Sequence, residues 1–155
     1  MSSSTLNTTA IAVFVKTPGL SPVKTRLAAT IGTAAAEEFY QLCTEAIQET
    51  LTTASETMDI VPFWAVGEEA GLSHPLWQGF ASIYTGQGDL GERQHHIYQT
   101  LLAKYPQVIL IGADSPQLTT THLKKAIESL DSHNFALGPA AVSYTHLTLP
   151  TKRIV

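Results

Sequence analysis

Ala10-Ile-Ala-Val-Phe-Val15, followed by Lys16-Thr-Pro-Gly-Leu-Ser-Pro-Val-Lys-Thr-Arg-Leu27, decides how the rest of the chain is read. The first run is apolar, rich in β-branched residues and bounded by polar ones, which is the pattern of a strand buried on both faces of a parallel sheet. The second run carries Pro18, Gly19 and Pro22, residues that punctuate a loop. A buried strand that enters such a loop and then a helical pattern is the opening of an α/β unit.

The chain beyond the loop repeats that alternation. Between Ala34 and Ala54, Phe39, Leu42, Cys43, Ala46, Ile47, Leu51 and Ala54 fall on one helical face, with Thr33 as the expected N-cap and Glu37 and Glu38 near the positive end of the helix dipole. Ile60–Val66 reads as a second strand, although Pro62 removes one ladder donor. Ala81–Tyr84 is a short third strand. Gly86-Gln-Gly-Asp-Leu-Gly91 turns into a helix with Leu90, Ile97, Tyr98, Leu101 and Leu102 inward. Val108–Ile111 is another buried strand, and the loop 112–118 leads to a helix over about Thr120–Leu130, with Leu123, Ala126, Ile127 and Leu130 on one face. Phe135–Leu137 is read as a further strand. The expected fold is therefore a three-layer α/β/α arrangement with a mostly parallel, Rossmann-like sheet and right-handed crossovers. In such sheets ligands sit outside the carboxyl ends of the strands. The loops at Lys16–Leu27 and 112–118 both follow buried strands, so both are expected at that edge.

Composition narrows the class. The chain has 155 residues, enough for one domain with a real core, and 44% are hydrophobic. No apolar run is long enough for a membrane helix, and Met1–Thr9 has no signal-peptide pattern. A single cysteine, Cys43, leaves no intrachain disulfide framework, so a cytoplasmic location is expected and Cys43 is read as core. The net charge of −4 gives no reason to expect nucleic acid. Three of the nine Lys and Arg residues, Lys16, Lys24 and Arg26, nevertheless crowd one acid-free stretch. A small anionic ligand and a solvated basic loop explain that excess equally well on charge alone.

Three motifs bear on chemistry. In the first loop, Gly19 permits close backbone approach, and Lys16, Lys24 and Arg26 suit phosphate oxygens. Lys24-Thr25 is not a Walker A motif, because Pro18 and Val23 stand where glycines are required. In Gly112-Ala-Asp-Ser-Pro-Gln-Leu118, Asp114 can hold a hard cation against a diphosphate, or simply cap a turn. In Gly86-Gln-Gly-Asp-Leu-Gly-Glu-Arg93, alternating glycines allow a ligand to approach, while Asp89 reads equally as an N-cap and Glu92–Arg93 as surface charge. That spacing is not GxGxxG. His95 and His96 are adjacent and do not suit one metal; His74, His122 and His133 have no evident partner, and no GxSxG elbow or Cys/His arrangement occurs. No catalytic base can be named.

Four segments in order, Lys16-Thr-Pro-Gly with Val23-Lys-Thr-Arg-Leu27, Gln87-Gly-Asp-Leu-Gly-Glu-Arg93, Ile111-Gly-Ala-Asp-Ser-Pro-Gln-Leu118 and Leu137-Gly-Pro-Ala140, resemble the uncharacterised bacterial glycosyltransferase-A-like family, related to nucleotidyltransferases of the 2-phospho-lactate guanylyltransferase type. The resemblance covers about residues 10–140. It implies a GT-A nucleotide-diphospho-sugar transferase fold, and a Mg²⁺- or Mn²⁺-dependent transferase that uses a nucleotide or nucleotide-sugar donor. Lys16, Gly19, Lys24 and Arg26 would then bind the nucleotide phosphates, Gln87, Gly88, Asp89 and Gly91 the base or ribose, and Asp114 the metal. Fold alone does not choose between glycosyl and nucleotidyl transfer. Ser115-Pro116 replaces the second acid of a DxD motif, so another metal ligand is required from elsewhere. Residues 1–9 are expected to form a flexible terminus. Residues 141–155 depart from the family pattern and are expected to be non-native, leaving the domain truncated on its acceptor side. The alternatives are a non-catalytic nucleotide-binding or regulatory module, and an inactive fragment.

Overall fold

In the computed structural model, residues 8–21, 25–113, 118–132 and 153–154 are described. Strands β1 (Thr9–Val15), β2 (Ile60–Val66), β3 (Ala81–Tyr84) and β4 (Gln107–Gly112) carry the sheet, and the two-residue β5 (Arg153–Ile154) lies beside β4. Every pairing is parallel, in the order β3-β2-β1-β4-β5. The helices are α1 (Thr25–Ile31), α2 (Thr33–Ala54), α3 (Leu90–Leu102) and α4 (Thr120–Ser132).

Alternation along β1 sorts the core into two layers. Ile11, Val13 and Val15 join Ile109 and Ile111 on one face, where α2 contributes Tyr40, Ile47 and Leu51 and α4 contributes Leu123 and Leu130. Ala10, Ala12 and Ala65 face the other way with Val108 and Leu110, and α3 covers them with Ile97, Tyr98 and Leu101. Trp64 and Trp77 are both buried, with ring centroids 5.0 Å apart, and Phe80 stacks 5.1 Å from Trp64. These rings join β2 to the 3₁₀ turn at Pro75–Trp77. The strand and helix positions read from the sequence hold for β1 to β4, α2, α3 and α4. Pro62 is tolerated because β3 pairs with β2 only from Phe63 onward, so no ladder on that side asks for its missing N–H.

Four expectations are corrected. Phe39 and Leu42 point outward, 45% and 58% exposed. Cys43, Ile47, Leu51 and Ala54 are buried as expected, and Ala36 and Tyr40, not Phe39 and Leu42, continue the stripe toward the start of α2. Tyr40 sets this phase: its hydroxyl accepts the backbone N–H of Lys16 at 2.8 Å, so its polar tip is satisfied while its ring is buried. Thr33 is the first helical residue, not the cap; Gly32 occupies the N-cap position with φ 94°. Leu90 is in phase with the inner face of α3 yet 48% exposed, at the first residue of the helix. The basic loop also ends early, with Thr25–Leu27 already forming the start of α1. The strand expected at Phe135–Leu137 lies outside the described residues.

The topology locates the functional edge. From β1 the chain steps to β2 and β3, then returns to the opposite side of β1 for β4. The order therefore reverses between β1 and β4, the switch point where open α/β sheets leave a crevice. Val15 is level with Val66, Val66 with Tyr84, and Phe14 with Gly112. All four strands thus end at one height and release their loops on the same side.

Candidate functional site

The loop after β1 is built into the protein at its root. The N–H of Lys16 donates to Tyr40 Oη, and the N–H of Thr17 donates to Glu68 Oε1 at 2.8 Å. Thr17 is fully buried, and its Oγ1 accepts from Trp77 Nε1 at 3.0 Å. Gly71 packs directly against that hydroxyl, leaving no room for a Cβ. The loop then closes a turn, with Leu20 and Ser21 N–H groups donating to Thr17 O at 3.0 and 3.1 Å, and Gly19 takes φ 91°. Two backbone donors that a phosphate cradle would use are therefore already committed. The Lys16 side chain is exposed and makes no hydrogen bond or ion pair with any described residue. Lys24 and the side chain of Arg26 lie outside the described residues.

The glycine-rich loop after β3 is shaped by two left-handed residues, Gly86 (φ 81°) and Gly88 (φ 114°). A side chain on Gly88 would collide with the Glu92 carboxylate. Asp89 caps α3: its Oδ1 accepts from the Glu92 N–H at 2.8 Å, and Glu92 Oε1 accepts from the Asp89 N–H at 2.9 Å. This reciprocal capping box satisfies donors that the helix end leaves open. The cap reading of Asp89 is thus the one the geometry carries. Gly91 differs from its neighbours in having an ordinary backbone and nothing closer to an added Cβ than Asp89 Oδ1 at 3.5 Å. Gln87 is exposed.

Arg93 is the residue that sequence reading passed over as surface charge. It is half-buried, and its Nε donates to Gly88 O at 3.0 Å. Its Nη1 donates to Gly67 O at 2.8 Å and Thr85 Oγ1 at 3.1 Å. Gly67 follows β2, and Thr85 and Gly88 both belong to the loop that follows β3, so one guanidinium ties two exits of the sheet together. No carboxylate of the described residues pairs with it. No clear signal of this role stands in the sequence, because the contacts to Gly67 and Thr85 are made only once the sheet has formed.

Acids are otherwise scarce at this edge. Asp89 and Glu92 serve the cap and Glu68 holds Thr17, and no group of three His, Cys, Asp or Glu gathers among the described residues. The described side chains do not by themselves make a cation site, and Asp114 lies outside them. A broad groove of about 720 Å³ sits elsewhere, between α2 and Pro75–Leu76. Glu45 and Glu49 line it, which makes it a poor host for a polyanion. Among the described helices, none is long and apolar enough to cross a membrane.

A family profile matches residues 46–141, from α2 through the glycine loop and β4, and its family is described as "Uncharacterized protein conserved in bacteria (DUF2064)". The chain belongs to the DUF2064 family. The Lys16–Leu27 loop precedes the matched segment. The fold is also that of a solved protein from Desulfovibrio desulfuricans G20, described as a "putative nucleotide-diphospho-sugar transferase", with a TM-score of 0.70 and 22% identity. The match covers 83% of this chain and 58% of that protein, so this chain spans little more than half its length. No curated protein matches the sequence.

Proposed function

We propose that this DUF2064 chain carries the donor-binding part of a transferase that uses a nucleotide or a nucleotide-sugar. The observation that supports it most is the convergence of four loops at the carboxyl edge of a sheet whose order reverses between β1 and β4. Two cations, Lys16 and Arg93, stand at that edge without acidic partners among the described residues. An unpaired, partly desolvated guanidinium is costly unless an anion joins it. In this reading Lys16, Lys24 and Arg26 neutralise the phosphates, and Gly91 leaves room for the base or ribose beside Gln87 and Gly88. Asp114, two residues past β4 in sequence, contributes to holding Mg²⁺ or Mn²⁺. Whether a sugar or a nucleotidyl group is transferred depends on an acceptor that these residues do not specify.

A nucleotide-binding module without turnover is the second reading, favoured by one observation. The acids nearest the glycine loop, Asp89 and Glu92, are committed to the helix cap. The two readings separate in thermal-shift and calorimetric titrations with the four ribonucleoside triphosphates and with UDP-, GDP- and ADP-sugars, each with and without Mg²⁺. The transferase reading expects one nucleotide to raise Tm, more so with Mg²⁺, and expects Asp114→Ala to abolish the Mg²⁺ increment. Metal-independent binding that survives Asp114→Ala favours the module. No response to any nucleotide overturns both.

A further inference from the structure

The geometry points to Arg93 and Lys16 as joint ligands of one phosphoryl group, seated over Gly67 where the exits of β1, β2 and β3 meet. The proposal rests on the nucleotide reading for the identity of the whole ligand, but its chemistry requires only a phosphoryl anion.

Three observations carry it. First, Arg93 uses only part of its donor set. Nε and Nη1 are fixed on Gly88 O, Gly67 O and Thr85 Oγ1, whereas Nη2 makes no hydrogen bond to any described residue. Those three acceptors are neutral, so they orient the guanidinium without neutralising it, and the outer edge is left to donate to an anion. Second, Lys16 comes to the same place from another loop. A Cβ built on Gly67 would lie 3.3 Å from Arg93 Nη1 and 4.0 Å from Lys16 Cγ, so the two chains flank this one glycine. Third, Gly67 lacks the positive φ that would require glycine for backbone reasons. Its want of a side chain serves space rather than conformation, and the space lies between two cations.

The division of labour is physical. Arg93 is held at three acceptors on two loops, those after β2 and β3, and so it sets where the anion sits. Lys16 is a mobile point charge on a long stem and adds attraction without geometry. Its own backbone N–H is spent on Tyr40, so the side chain alone faces the ligand.

Calorimetry with inorganic pyrophosphate, and then with the nucleotide that gives the largest thermal shift, tests this on the full chain. Arg93→Gln is expected to weaken pyrophosphate by about tenfold or more, and Lys16→Ala by about threefold to tenfold. Because both hold one anion, the double variant loses less than the product of the two single losses. Arg93→Lys keeps the charge but not the fork, and falls between wild type and Arg93→Gln. Lys104→Ala, which removes a charge from beyond the far end of α3, leaves affinity within about twofold, as a remote surface charge should. If Arg93→Gln does not fold, Lys16→Ala and Lys16→Glu decide, since Lys16 is exposed and its removal leaves the core intact. A purely structural Arg93 would lower Tm in Arg93→Gln and leave pyrophosphate affinity and the Lys16 variants unchanged, which overturns the proposal. Pyrophosphate binding without nucleotide binding retains this site and overturns the nucleotide reading alone. Nucleotide binding that ignores both residues retains that reading and overturns this one, and a wild type that binds neither overturns both.

Discussion

The loop after β1 and the loop after β3 leave the same sheet edge, yet they are stabilised in opposite ways. The first draws the eye with Lys16, Lys24 and Arg26, but its described root is held by neutral and acidic groups that consume backbone donors: Tyr40 Oη on Lys16 and Glu68 on Thr17. The second has no excess of charge, yet its shape depends on a guanidinium, on two left-handed glycines and on a capping box. In the nucleotide reading, the conspicuous charge of the first loop serves to attract the anion. The loop that lacks such charge is the one whose shape is set by side-chain hydrogen bonds to a guanidinium and a helix cap, and a fixed geometry is what places a ligand. This contrast makes the two loops separable by substitution.

The largest expected effect falls on the second loop. Gly88→Ala forces a left-handed backbone onto a residue with a Cβ and pushes the Glu92 carboxylate off the cap. The cost is about 2–3 kcal/mol of stability, from roughly 1–2 for the backbone and about 1 for the lost cap. Hydrogen exchange should quicken at residues 88–93 while the amides of Lys16 and Thr17 stay protected. Equal loosening of both loops would show that they are one unit, not two. Thr17→Val is the counterpart in the first loop. It keeps the shape but removes the acceptor of Trp77 Nε1, leaving a buried donor unpaired at a cost of about 2 kcal/mol. Here exchange should quicken at Lys16, Thr17 and Glu68, with residues 86–93 unaffected.

Asp89→Ala is expected to cost about 1 kcal/mol in urea unfolding, the usual worth of an N-cap, and Asp89→Ser to recover most of it. If Asp89→Ser also retains nucleotide affinity, Asp89 acts only through the cap. Loss of affinity at full stability would give it a direct ligand role. The sequence could not separate these outcomes, because an N-cap and a ribose carboxylate call for the same residue at the same place. Periodicity made the parallel strands and three of the helices legible, since burial on two faces leaves a continuous apolar run that no loop imitates. The stripe of α2 was legible from Cys43 to Ala54 but not before it. Phe39 and Leu42 are as apolar as the residues that replaced them, and the hydrogen bond from Lys16 that favours Tyr40 joins residues far apart in the chain. Arg93 was missed for a similar reason, because its value lies in Gly67, Thr85 and Gly88, which only the sheet brings together.

Gly91→Ala is the smallest perturbation and the most discriminating. Gly86 and Gly88 need their left-handed conformations, so replacing either mixes structural damage with any loss of binding. Gly91 is helical and ordinary in backbone, and its Cβ would meet only Asp89 Oδ1 at a comfortable 3.5 Å. Substitution by alanine should therefore raise stability by about 0.5 kcal/mol, through the lower entropy of the unfolded chain. In the nucleotide reading the same methyl group enters the space left for a base or ribose and lowers affinity about tenfold, a loss of about 1.4 kcal/mol in binding. Pyrophosphate, which has neither base nor ribose, should bind the variant as it binds the wild type. Stability and affinity then move in opposite directions, which damage to the fold cannot produce. If nucleotide affinity instead holds while Tm rises, the ligand does not approach α3 at Gly91, and the base must be sought nearer the crevice between β1 and β4.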